Sequence, residues 1–219
     1  IMFALVDKSD NSITKILSGT KGITIGDVQH PKQIFTIWTE AERNAINIYT
    51  IEMDTSKVKD EQWYNNTKVT YSFDGSKAKG SYGDATAKAH ADVNHVWTQE
   101  EIDDGEAPGG TSEGDAKKDE DGNQLITRGL KYVLIKKIKD QAEKELNKTD
   151  WYVVRKAEEE TAIPSSITTH RKAVRSKQAE METAITNASD TPALETLHTY
   201  TEQEDGSITR PLGELPYLE

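Results

Sequence analysis

The chain has 219 residues, 34% of them hydrophobic and 30% charged, a supply of apolar material better matched to two small modules than to one large core. Its formal net charge of -11, with no clustered basic stretch, argues against nucleic-acid binding, which draws most of its affinity from phosphate attraction. It has no cysteine, which removes disulfide frameworks, cysteine zinc sites and thiol nucleophiles together.

Ile1 to Val6 is apolar, but no basic residues precede it and Asp7 and Lys8 end it. That is too short for a signal core or a membrane span, and it reads as a first strand of a protein made in the cytoplasm. Residues 2–6 and Ile13 to Leu17 flank the turn formers Ser9-Asp10-Asn11-Ser12, which predicts a β-hairpin. Ile23 to Gly26 reads as a further short strand.

Ile34, Phe35, Ile37 and Trp38 are apolar, and Thr39 is followed three residues later by Glu42. That spacing is a capping box and predicts a helix from Thr39 to about Asn47. Ile48 to Met53 then reads as a strand rich in β-branched and aromatic residues. Strands are expected at 68–73 and 80–83, separated by the turn dipeptide Asp74-Gly75. Residues 60–67, with Trp63 and Tyr64, read as a loop anchored by aromatics.

From 98 to 129 the chain is acidic and glycine-rich with few apolar residues, so no packed core is expected there and the segment reads as a linker or a loop that orders only against a partner. Leu130, Leu134, Ile138 and Ala142 recur every four residues, which predicts an amphipathic helix over 129–148. Asp150 to Val154 reads as an interruption. Pro164-Ser165-Ser166 opens a second helix, with Ile167, His170, Val174, Met181 and Ile185 on one stripe. Asp190-Thr191-Pro192 opens a short third helix, with proline near the first helical position where its missing N–H costs nothing. The expected architecture is α+β: a β-rich module with one short helix over 1–97, an acidic linker over 98–129, a helical hairpin over 130–200 and an extended tail over 201–219.

Candidate chemistry is sparse. His90 and His95 bracket Asp92, but they lack the further ligands and second shell a metal site needs, and ordinary histidines are the simpler reading. A calcium loop starting at Asp119 would need glycine at its sixth and glutamate at its twelfth position; those positions hold Gln124 and Leu130. No nucleophile elbow, phosphate loop or dinucleotide motif is present, and no cofactor is expected. Asn65-Asn66-Thr67 and Asn147-Lys148-Thr149 match the glycosylation triplet by chance. Arg171 and Arg175 lie one turn apart; the expectation is that they face Asp150, Glu158, Glu159 and Glu160 as exposed ion pairs worth only about 0–1 kcal/mol each. Trp151 is expected to fold back as a lid over two helices.

Thr149-Asp150-Trp151, Ile163-Pro164 and His170-Arg171-Lys172-Ala173-Val174-Arg175 together resemble a signature of bacteriophage tail proteins. It is similar to the C-terminal domain of the tail-fibre assembly and tail assembly chaperone families, where Asp-Trp after a helix precedes a helix bearing Tyr-Arg and Leu-Arg. Here His170 stands for the tyrosine and Val174 for the leucine, and both arginines keep their spacing; the resemblance covers roughly 130–200. Ile34 to Glu42 with Ala45 to Tyr49 is similar to the module preceding that domain in marine phage proteins, which usually carry glycine where Asn47 stands. The acidic segment after Trp97 is longer than the connectors of those proteins.

The resemblance implies a non-enzymatic virion protein of the tail, baseplate or fibre-attachment region. Its implied partners are other virion proteins, with a homo-oligomer left open and neither nucleic acid nor membrane involved. Asp150, Trp151, Arg171, Arg175 and Trp38 are the expected structural and docking residues. Two other readings stand beside it: an assembly chaperone that leaves the particle, and a two-carboxylate hydrolase of host polysaccharide, which would need a cleft holding two acids about 5–10 Å apart.

Overall fold

The computed structural model describes residues 1–218. The chain is α+β and divides into two compact units, Ile1–Thr86 and Ala87–Glu219, so the boundary falls earlier than the expected 97. Among the described residues no helix is long and apolar enough to cross a membrane.

In the first unit β1 (Phe3–Asp7) and β2 (Ser12–Leu17) form the expected hairpin, with a bulge between Leu5 and Val6. Its turn is closed by aspartate side chains: Asp7 accepts from the Ser9 N–H and Asp10 from the Ser12 N–H, each at 2.8 Å. β3 (Ile23–Ile25) pairs with β4 (Val28–His30), a partner the short run Val28-Gln29-His30 did not announce. A 3-10 turn (Lys32–Phe35) leads to α1 (Glu40–Ala45), whose start carries both halves of the predicted capping box, Thr39 and Glu42. Asn47 then takes the left-handed conformation (φ 61°), which asparagine tolerates better than most residues.

β5 (Ile48–Asp54) is the spine of the sheet. Its first half pairs antiparallel with β1, and its second half pairs parallel with β8 (Ala78–Ser81), itself antiparallel to β7 (Thr70–Phe73). The order is β2-β1-β5-β8-β7, and the edge strands β2 and β7 approach each other so that the sheet curls. The two-residue strands β6 (Tyr64–Asn65) and β9 (Thr86–Ala87) complete the set; Trp63 and Tyr64 are buried, as the aromatic-anchored loop implied.

Both faces of this sheet are covered, which explains why Phe3 to Val6 is apolar without alternation. On one face Phe3 and Ile48 pack with Leu17, Ile23, Ile34 and Phe35. On the other Ala4, Val6, Tyr49 and Ile51 pack with Phe73 and Ala78. Trp38 packs against the first cluster, edge-on to His30, and its carbonyl accepts from Arg43. It is a core-margin residue of this unit.

In the second unit the segment expected to be a linker, or a loop ordered only against a partner, has a backbone framework. β10 (Val93–Asn94) pairs with β11 (Ile126–Thr127), and isolated bridges join Val96 to Ala116 and Lys118 to Gln124. α2 (Gln99–Asp103) starts on a capping box of Thr98 and Glu101. No residue from 98 to 128 is buried, in line with its poverty of apolar residues; hydrogen bonds carry the order. Lys117 pairs with Glu101 and lies over the Trp97 ring, 4.6 Å from its centre. The Lys117 ammonium, and then the Thr98 backbone N–H, pull the Glu101 carboxyl down to about 2. A depressed pKa means that this cap is intact above the ordinary glutamate range and is lost as pH falls through about 2. An NMR titration of the Glu101 carboxyl carbon is expected to give a midpoint near 2, against an ordinary value of 4.5.

α3 (Leu130–Asn147) and α5 (Ser165–Asn187) form an antiparallel pair, as the contacts Lys131 to Thr186 and Glu145 to His170 require. Leu134, Ile138, Ala142, Ile167, Val174, Met181 and Ile185 are the buried seam, all on the predicted stripes. Gly129 caps α3: its N–H meets the Asp92 carboxylate at 2.8 Å, and a Cβ there would fall 2.3 Å from Ala91 backbone atoms. α6 (Thr191–His198) starts on Asp190 with Pro192 in its first turn, as expected, and buries Leu194. The tail is more than an extended strand. β12 (Thr201–Glu202) pairs with β13 (Ile208–Thr209), Leu212 is buried, and the Leu218 N–H donates to Glu145 at 2.8 Å.

Candidate docking site

Asp150, Trp151 and Arg171 lie at or beside the end of α3, Arg175 one turn further along α5, and the turn that follows α3 is built around Arg171. The last carbonyls of any helix lack intrahelical donors. Here the Thr149 hydroxyl donates to the Leu146 carbonyl at 2.9 Å, Arg171 Nη1 donates to the same carbonyl at 2.8 Å and to Thr149 Oγ1 at 2.6 Å, and Arg171 forms an ion pair with Asp150 Oδ1 at 2.8 Å. Arg171 and Thr149 are buried. A guanidinium at the negative end of α3 and a carboxylate in the first turn of the next helix both complement the backbone dipoles. The neighbouring His170 makes the second clasp: Glu145, only 7% exposed, receives His170 Nε2 at 3.1 Å, Lys148 Nζ at 2.5 Å and the Leu218 N–H. Burial pushes its pKa up, but the Lys148 hydrogen bond, the Leu218 N–H and nearby positive charge outweigh it and hold the carboxyl below its usual range.

The result is a helix where an interruption was expected: α4 (Asp150–Glu159) starts directly at the clasp. Trp151 is not a lid. It is 51% exposed, stacked on Tyr152 at 3.8 Å between ring centres, with the Arg155 guanidinium 4.8 Å from its own ring centre. Neighbours in sequence cannot bury an indole, so the aromatic stays at the surface. No residue of α4 is buried.

The exposed apolar residues of α4 cluster on one side. At 100° per residue, Val153, Ala157, Val154 and Trp151 share one broad arc, and all four are exposed. The partly covered positions are Asp150, Tyr152 and Arg155. The apolar residues Trp151, Val153, Val154 and Ala157 therefore face water, as do Lys156, Glu158 and Glu159. The Arg155 Nε is buried without a hydrogen-bond partner among the described residues.

Arg175 departs from the expectation. It does not reach Glu158, Glu159 or Glu160 and makes no ion pair among the described residues. It lines instead an open groove of about 680 Å³ along α5 with Leu146, Gln178, Glu182 and Thr183. Of the two arginines only Arg171 is structural, and its burial makes it more than an exposed ion pair. Trp38 belongs to the other unit and its core. Of the histidines considered for metal, His95 has Nε2 2.6 Å from the Thr127 hydroxyl; no group of three or more potential ligands lies together among the described residues.

What the sequence missed here is α4 as an element and Glu145 as a buried acid. The signal for the first was present: Asp150 in the first turn after Thr149, then Val153, Val154 and Ala157 at helical spacing. Comparison with protein-family models, with curated proteins and with solved structures finds no match to this chain.

Proposed function

We propose that this chain is a non-catalytic structural component of a bacteriophage virion, in the tail, baseplate or fibre-attachment region, that works as an adaptor by binding other virion proteins. The observation that carries the docking part is the exposed apolar arc of α4, fixed at one end by the Arg171 clasp. Exposed apolar surface held on a rigid element marks an interaction site. The tail assignment itself rests on the resemblance of residues 149–175 to phage tail proteins. Quantitative mass spectrometry of purified particles tests it: stoichiometric presence is expected, and absence from intact particles would remove it.

The same arc favours a second reading, an assembly chaperone for tail fibres, because a chaperone needs an exposed apolar patch to hold its client. That reading expects near-zero copies in particles and stable association with fibre protein in infected cells, so the one experiment separates the two.

A further inference from the structure

The arc on α4 comes with a charge pattern that narrows what can cover it. Glu158, Glu159 and Glu160 are exposed at its C-terminal turn, where the helix dipole disfavours anions. None of them has an ion pair among the described residues, and neither has Lys156, the basic residue of that turn. Asp150, at the other end, is neutralised by Arg171. The surface is thus apolar along its length and uncompensated negative at one end. Isolated helices of this length are marginal in water, so α4 gains from an apolar partner and its last turn gains from cations.

A second copy supplies neither well. Laid antiparallel, two α4 helices place Glu158 and Glu159 opposite Trp151 and Asp150; laid parallel, they place acid against acid. In the antiparallel case Lys156 falls opposite Val153. Anionic surfaces are repelled by the same three carboxylates.

We propose that α4 docks into an apolar cleft of a different protein whose rim carries lysine or arginine where the Glu158–Glu160 turn arrives, with Trp151 as the central anchor. An aromatic anchor inside a charged rim is a common division of labour at interfaces, the ring supplying affinity and the charges register and rate. The identification of that protein as a virion subunit rests on the proposed function; the chemistry of the contact does not.

The test uses the full chain and a synthetic 18-residue helical peptide of leucine and lysine, with a leucine–glutamate peptide of the same pattern as control. Isothermal titration is expected to show the lysine peptide binding at least about tenfold more tightly. The triple variant E158Q, E159Q and E160Q, and separately W151A, are each expected to lose about tenfold. The variant E202Q, E204Q and D205N, which removes exposed acids of the tail hairpin, is expected to bind like the parent, since general acidity is not the cause. Circular dichroism confirms that each variant is folded. Equal binding by the α4 variants, or equal loss in the tail-hairpin variant, would overturn the proposal. So would concentration-dependent self-association of the parent chain, seen by sedimentation and abolished by W151A. Particle incorporation is read separately. A chain absent from particles but bound through α4 overturns the proposed function alone. A chain in particles whose α4 variants are incorporated equally overturns the docking proposal alone.

Discussion

Replacing Arg171 by methionine is expected to lower the stability of the second unit by about 3 kcal/mol, since it removes a buried charge and leaves polar partners short of a donor. The guanidinium holds the Leu146 carbonyl, the Thr149 hydroxyl and the Asp150 carboxylate. Methionine keeps much of the buried stem but none of these bonds. Thr149 still donates to Leu146, which keeps the loss below that of an orphaned carbonyl. Asp150 is half exposed and can turn to water, so Asp150→Asn is expected to cost less than Arg171→Met. Thermal unfolding followed at 222 nm, where the long helices of this unit dominate, reads both. A loss for R171M of under about 0.5 kcal/mol, the range of ordinary surface substitutions, would show that the clasp does not organise the turn.

In the first unit the largest expected effect is at Ile48, which is fully buried at the start of the central strand. It packs with Phe3, Leu17, Ile23, Ile34 and Phe35 between the sheet and the segment that covers it. Ile48→Ala is expected to destabilise this unit by about 3–4 kcal/mol, combining lost transfer energy with the cavity left behind. Met53, on the same strand but exposed, serves as the control, and Met53→Ala is expected to change little. Urea titration monitored by near-ultraviolet signal from Trp38 and Trp63 gives the comparison; equal effects at the two positions would mean that the strand's first half is not the centre of the core.

Much of this architecture was legible in the residues, because local rules and burial agree wherever the pattern is strong. The capping box of Thr39 and Glu42, the hairpin around residues 8–11, the stripe from Leu134 to Ala142 and the proline-opened α6 are all short-range chemistry. Long-range pairing was not legible. The parallel alignment of β5 with β8 and the bonds that tie residues 93–127 join positions far apart, and no local signal carries them. The linker expectation failed in a specific way: too few apolar residues do prevent a core, but backbone pairing and a lysine–glutamate cap still order the segment.

The candidate docking site was half legible for a related reason. Asp150 and Arg171 are joined as expected because complementary charges across a helix turn are a strong constraint. Arg175, one turn further along α5, has moved past that turn and makes no ion pair among the described residues. Trp151 was assigned to the interior because indoles usually are buried. Which face of a helix packs is decided by the neighbours the fold supplies, and among the described residues Val153, Val154 and Trp151 stay exposed, Trp151 meeting only its helix neighbours Tyr152 and Arg155 in ring contacts. A tryptophan left at the surface by an otherwise well-packed helix pair is a stronger pointer to a partner than the same residue would be in a loop.

The unfolding free energy of Trp151→Ala tests most directly the view that α4 serves contact with another molecule and not the fold of its own. A loss below about 1 kcal/mol is expected, as for a surface position away from caps and cores. A loss of about 3–5 kcal/mol, the size found when a buried tryptophan is truncated, would contradict it and restore Trp151 as a lid over the helices.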